Sequence, residues 1–152
     1  ELSRRHRLPT RLDCSLVPFV AYQQLDQKLL HFLSIYGCAG GDLLTAARAD
    51  GKLSACSFAA PTSERVTNLR QYFATPTAFA PFRDYPAAAE PCQSCAYLRL
   101  CRGGCRVVAS HVTGSLRAPD PECPRVIDFR ASQANHGDDA LPSAGRRLKV
   151  LA

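Results

Sequence analysis

Cys92-Gln-Ser-Cys95-Ala-Tyr-Leu-Arg-Leu-Cys101-Arg-Gly-Gly-Cys105 holds four of the chain's eight cysteines, and its reading decides the fold. The C-x2-C pair at Cys92 and Cys95 puts two thiolates on one tight turn, close enough to bind a single soft cation or a cluster iron. Such pairs commonly open both zinc and iron-sulfur sites. Cys101 and Cys105 lie four residues apart and on a helix would share one face. Gly103 and Gly104 between them remove side-chain bulk where a cluster would press against the backbone. Arg106-Val-Val-Ala-Ser-His111 is apolar enough to continue as a packed helix, predicted to run to about Val112 and to end at Gly114. The stretch predicts a metal site.

At 152 residues the chain is about one domain's worth. No apolar run approaches the ~18 residues of a membrane span, and no signal-like apolar segment is present. The expectation is a soluble, cytoplasmic protein with no membrane partner. The sequence starts at Glu1 and contains no methionine, which suggests a processed chain or a fragment. The formal charge of +6 is spread over Arg4, Arg5, Arg7 and Arg11, over Arg99, Arg102 and Arg106, and over Arg146, Arg147 and Lys149. No aromatic residues interleave with these charges, so solvated termini are expected and no nucleic-acid partner. The arginines around Cys101 are different, because a cluster held by four thiolates is anionic and nearby guanidinium groups would stabilise it. Eight cysteines would also suffice for four disulfides in a secreted protein, but the C-x2-C unit and the lack of a signal-like segment point to metal. No Ser-His-Asp grouping, phosphate loop or carboxylate pair supports hydrolytic or phosphoryl chemistry. Asp13, Asp120 and Glu122 are single carboxylates beside cysteines, with solvent-facing or capping roles expected.

Working outward, residues 1–11 read as a linker or the tail of a preceding element. Leu12–Val20 reads as a short buried strand or an irregular segment broken at Pro18. From Tyr22 to Tyr36, Leu25, Leu29, Leu30, Phe32 and Leu33 recur at three- and four-residue intervals, the period of an amphipathic helix that Gly37 would stop. His31 beside that stripe reads as a structural histidine. Asp50-Gly51 between two short runs predicts a hairpin, since both turn residues tolerate positive φ. The hairpin would carry Cys38 towards Cys56. Residues 59–91, with five prolines, read as a wrapping connector with short helices at Asn68–Phe73 and Pro76–Phe82. Cys123 returns between Pro121 and Pro124, and Cys-Pro as a last ligand is a habit of bacterial ferredoxin sequences. From Ala131 the composition is that of a disordered tail.

The full cysteine pattern resembles the SPASM domain, the auxiliary-cluster module at the C-terminus of many radical S-adenosylmethionine (SAM) enzymes. It reads Cys38-x12-Gly51-x4-Cys56, a gap, Cys92-x2-Cys95-x5-Cys101-x3-Cys105, a gap, then Cys123. The resemblance implies two auxiliary 4Fe-4S clusters with interleaved ligands. Cys92, Cys95, Cys101 and Cys123 would hold the outer one; Cys38, Cys56 and Cys105 would belong to the inner one. Cys14 is the only cysteine left; it completes four plus four by count, or it is a free buried thiol. The implied fold is α+β: a small irregular cluster-binding domain, with a β-hairpin and short helices, over residues 37–126. Residues 1–36 would be a linker or the last strand and helix of a partial TIM-like barrel, and 127–152 a disordered C-terminal tail. The C-x3-C-x2-C triad that holds the SAM-cleaving cluster in such enzymes does not occur in this sequence. SAM and a third cluster would therefore belong to an absent N-terminal part, and this chain alone is expected to be inactive. The implied partners are a peptide or protein substrate to be modified and an electron donor such as ferredoxin or flavodoxin. Two other readings compete: a structural zinc module with two four-thiolate sites, and an independent ferredoxin-like electron carrier.

Overall fold

The structure is a computed structural model that describes residues 5–7, 12–85 and 89–134. The described residues form several short helices and one two-stranded antiparallel sheet, an α+β arrangement.

Leu12–Val20 is helical rather than extended. The Asp13 carboxylate accepts from Ser15 N at 2.9 Å and caps a 3-10 turn, Cys14–Leu16, which continues into α1, Val17–Tyr22. Pro18 sits in the first turn of α1, where its missing N–H costs nothing and its fixed φ suits a helix. The periodic stretch from Tyr22 to Tyr36 is not one helix. Gln24 takes φ 54°, and Asp26 then starts a new helix, accepting from Lys28 N and Leu29 N at 2.6 and 3.0 Å. The result is α2, Gln27–Phe32. Of its apolar stripe only Leu30 is buried; Leu29, Phe32 and Leu33 are exposed. His31 is exposed as well and stacks edge-on against Tyr36.

The Asp50-Gly51 hairpin is present. Strands β1, Ala46–Ala47, and β2, Leu53–Ser54, pair antiparallel with Ala46 opposite Ser54 and Ala47 opposite Leu53. Gly51 has φ 79°, the conformation for which a turn favours glycine. The connector contains α3, Leu69–Ala74, capped by Asn68 accepting from Gln71 N at 3.0 Å, and α4, Ala80–Arg83. Helix α5, Leu98–Cys101, is followed by α6, Arg106–Thr113, which ends at Gly114 as expected. Helix α7 runs Pro124–Ala134, so residues 127–134, expected to be disordered, are helical. The remainder of that expected tail lies outside the described residues, as do most of residues 1–11.

Among the described residues the apolar core is divided into three small clusters, and each contains cysteine. Val17, Leu30 and Leu100 pack with Cys101; Ala55 and Phe82 pack with Cys38; Val126 packs with Cys92 and, partly buried, Cys123. Long-range hydrogen bonds tie the first helical segments to the cysteine stretch and to α7. Tyr97 Oη donates to the Leu25 carbonyl at 2.7 Å, and Tyr22 Oη to Asp128 at 2.9 Å.

Candidate metal centre

Cys101 and Cys105 do not share a helix face. Arg102, Gly103 and Gly104 all adopt positive φ (59°, 82° and 79°), so the chain leaves α5 at Cys101, turns, and enters α6 only after Cys105. The turn sends the two thiols to different places. The reason for the second glycine also differs from the one the sequence suggests: a Cβ on Gly104 would collide with the Asp120 carboxylate. Asp120 is buried, not solvent-facing. Its two oxygens accept from Cys105 N at 2.7 Å and from Glu122 N at 3.0 Å, pinning the turn to the loop that carries Cys123.

All eight thiols are free. Four of them, Cys92, Cys95, Cys101 and Cys123, line one half-open cavity of about 620 Å³ between α1, the C-x2-C turn and the start of α7. These thiols act on one another, and Arg106 and Asp120 act on Cys92 as well. Burial pushes Cys92 up to about 11, helped by Cys123 and Cys95. It pushes Cys101 up to about 12, opposed by the amides of Gly104 and Gly103 and reinforced by Cys123 and Cys92. Burial also raises Cys123, opposed by the amides of Val126 and Arg125 at the start of α7.

The other four form a second set. Burial raises Cys38, partly offset by the Gly40 amide, and the charges of Cys105 and Cys56 raise it further. Cys14 is pushed up to about 11 by burial, then by Asp13, Cys38 and Cys105. The hairpin brings Cys56 to Cys38 across seventeen intervening residues, and the short helix after Asp13 brings Cys14 to both Cys38 and Cys105. The eight thiols thus fall into two sets of four (tetrads): 92/95/101/123 lines the cavity, and 14/38/56/105 is related through the charges that act on Cys14 and Cys38. Among the described residues, no three His, Cys, Asp or Glu side chains converge tightly enough to grip a single ion.

The three arginines near Cys101 are not equivalent. Arg99 is exposed, Arg102 pairs with Asp42 at 2.9 Å, and Arg106 is only 2 % exposed. Burial disfavours the Arg106 charge, whereas the thiolate forms of Cys38, Cys92 and Cys101 favour it. Its Nε has no hydrogen-bond partner. A buried cation with an unsatisfied donor beside neutral thiols is costly, and it becomes compensated when those thiols ionise on binding metal. The donor set therefore fits an anionic, thiolate-held group. Nothing short of the folded arrangement reveals Arg106 as the buried one, since the sequence offers three similar arginines.

No helix among the described residues is long and apolar enough to cross a membrane. No family model matches the chain, and no solved structure matches it.

Proposed function

We propose that the chain is an auxiliary-cluster module of the SPASM kind, part of a radical SAM enzyme that modifies a peptide or protein, with one 4Fe-4S cluster in each thiol tetrad. The observation that carries this reading is the partition of the cysteines. The resemblance to the SPASM domain implies interleaved ligand sets, and interleaving requires Cys101 and Cys105, four residues apart, to serve different centres. The positive-φ turn between them supplies that divergence, and the charges acting on the thiols divide the same way.

Bound clusters would supply one-electron transfer or a rigid seat for substrate. The chain's own residues do the rest. Cys92, Cys95, Cys101 and Cys123 face one cavity able to hold a group larger than a single ion. Asp120 fixes Cys105 against the Cys123 loop, and the amides of Gly103 and Gly104 favour the thiolate of Cys101. A zinc ion holds its thiolates at about 2.3 Å in a tight tetrahedron, whereas a cluster gives each thiolate its own iron and so suits more widely spaced sulfurs. A cavity of about 620 Å³ lined by four thiols has room for a cluster. The segment from residue 12 to Phe32, helical where a barrel strand was expected, would form the junction to an upstream barrel. An electron donor such as ferredoxin or flavodoxin would serve it, in the cytoplasm.

Anaerobic reconstitution tests the reading. Two four-thiolate clusters require about eight iron and as many sulfide per chain. A colourless protein holding about two zinc would instead make this a structural zinc module.

A further inference from the structure

Arg106 is the largest fully buried side chain among the described residues, and it has no carboxylate partner there. Its Nη2 donates to the Arg102 carbonyl at 3.0 Å and its Nη1 reaches the Leu116 carbonyl at 3.5 Å, while Nε donates to nothing. Two carbonyl dipoles do not neutralise a buried unit charge.

Its location is specific. Arg106 follows Cys105, a member of one tetrad. Its guanidinium lies against Gly103, where an added Cβ would stand 3.0 Å from Nη2, and Gly103 lines the cavity faced by the other tetrad. The guanidinium therefore stands in the wall of the cavity that Cys92, Cys95, Cys101 and Cys123 line, and Leu116, whose carbonyl its Nη1 reaches, packs against the apolar cluster that holds Cys38.

We infer that Arg106 is a shared counter-charge for the two cluster sites, a positioning residue that sets the reduction potential of both and links their assembly. The inference rests on the cluster reading above. An electron added to either cluster increases its negative charge, and a fixed cation in a water-poor wall lowers the cost of that added charge. One residue then biases both centres in the same direction, which surface arginines such as Arg99 cannot do through screening solvent.

The test is a spectroscopically monitored redox titration of the anaerobically reconstituted chain, comparing Arg106→Gln, Arg106→Lys and Arg99→Gln with the unaltered protein. Removing the charge should make both clusters harder to reduce, by about tenfold in each reduction equilibrium, which is 59 mV for one electron. Arg106→Lys should recover most of the shift, and Arg99→Gln should leave both potentials in place. A shift confined to one cluster, no shift at all, or a lysine variant no better than glutamine would overturn the inference. If Arg106→Gln retains no iron, the lysine variant decides by iron content: both sites filled supports the shared role, and one or both empty refutes it. An unaltered chain that takes up no iron would instead refute the cluster reading itself.

Discussion

Replacing Asp120 with alanine should damage the protein far more than its position in a proline-rich loop suggests. The carboxylate is 3 % exposed and accepts from two amides, Cys105 N at 2.7 Å and Glu122 N at 3.0 Å. Hydrogen bonds to a charged group contribute about 1.5–3 kcal/mol each, and their loss leaves buried donors unsatisfied. Two such bonds give a destabilisation of about 3–6 kcal/mol. Because one kcal/mol moves the melting temperature of a chain this size by roughly 2–4 °C, the loaded Asp120→Ala protein should melt on the order of 10 °C lower. The loss should also have a direction. Cys105 is released from the Cys123 loop, so iron should leave the 14/38/56/105 site before the other. The assay is an anaerobic melt followed by far-ultraviolet circular dichroism, with iron measured after desalting. Glu122→Ala, which removes an exposed carboxylate two residues away, is the control and should change the midpoint by no more than about 2 °C, as surface substitutions do. An Asp120→Ala protein melting within about 2 °C of the original, with iron intact, would refute the pinning argument.

Cys14→Ala should leave iron high but change the spectrum of one cluster only, because the charges of Cys38 and Cys105 act on Cys14; an unchanged spectrum would make Cys14 a bystander. The apo chain, with a core split into three small clusters, should be cleaved rapidly by protease between residues 59 and 91 and become resistant when loaded, since metal binding and folding are coupled. Burial raises the folded-state pKa of Cys14, Cys92 and Cys101 from 9.0 to about 11–12. Their neutral forms thus stabilise the fold below pH 9, and that stability is lost as pH climbs through 11–12. The apo chain's helical circular dichroism should fall over that alkaline range and not between pH 6 and 8. Given SAM and dithionite, the loaded chain alone should form no 5′-deoxyadenosine above background, as no C-x3-C-x2-C triad is present to open a cluster to SAM; product formation would remove the auxiliary role.

Where local chemistry is strong, the sequence is legible. Asp50-Gly51 can make only a turn of its kind, Asn68 caps the helix that follows it, and Gly114 ends α6. Cys92, Cys95, Cys101 and Cys123, which the family resemblance groups, line one cavity. Elsewhere local signals compete or long-range contacts decide. The leucine periodicity from Leu25 to Leu33 favours one helix, but Gln24 in the left-handed region and the capping carboxylate of Asp26 break it in two. Cys101 and Cys105 have helical spacing, yet Arg102 takes φ 59° and is held there by tertiary contacts, including its pair with Asp42. Ile127 to Ala134 lack the composition of a packed helix and are helical because Val126 anchors α7 in the cluster with Cys92. Asp120 and Arg106 are the residues the sequence could not single out, since their importance comes from burial against turns more than ten positions away or from the lack of a partner.

The division of neighbouring cysteines between two centres is the claim on which the rest depends. Mössbauer spectroscopy of the anaerobically reconstituted chain tests it directly, comparing the original protein with Cys101→Ala and Cys105→Ala. The unaltered chain should show two four-iron clusters, and each variant should lose or convert a different one while the other persists unchanged. If both substitutions abolish the same signal, or if a single cluster accounts for all the iron, the two-tetrad arrangement is wrong.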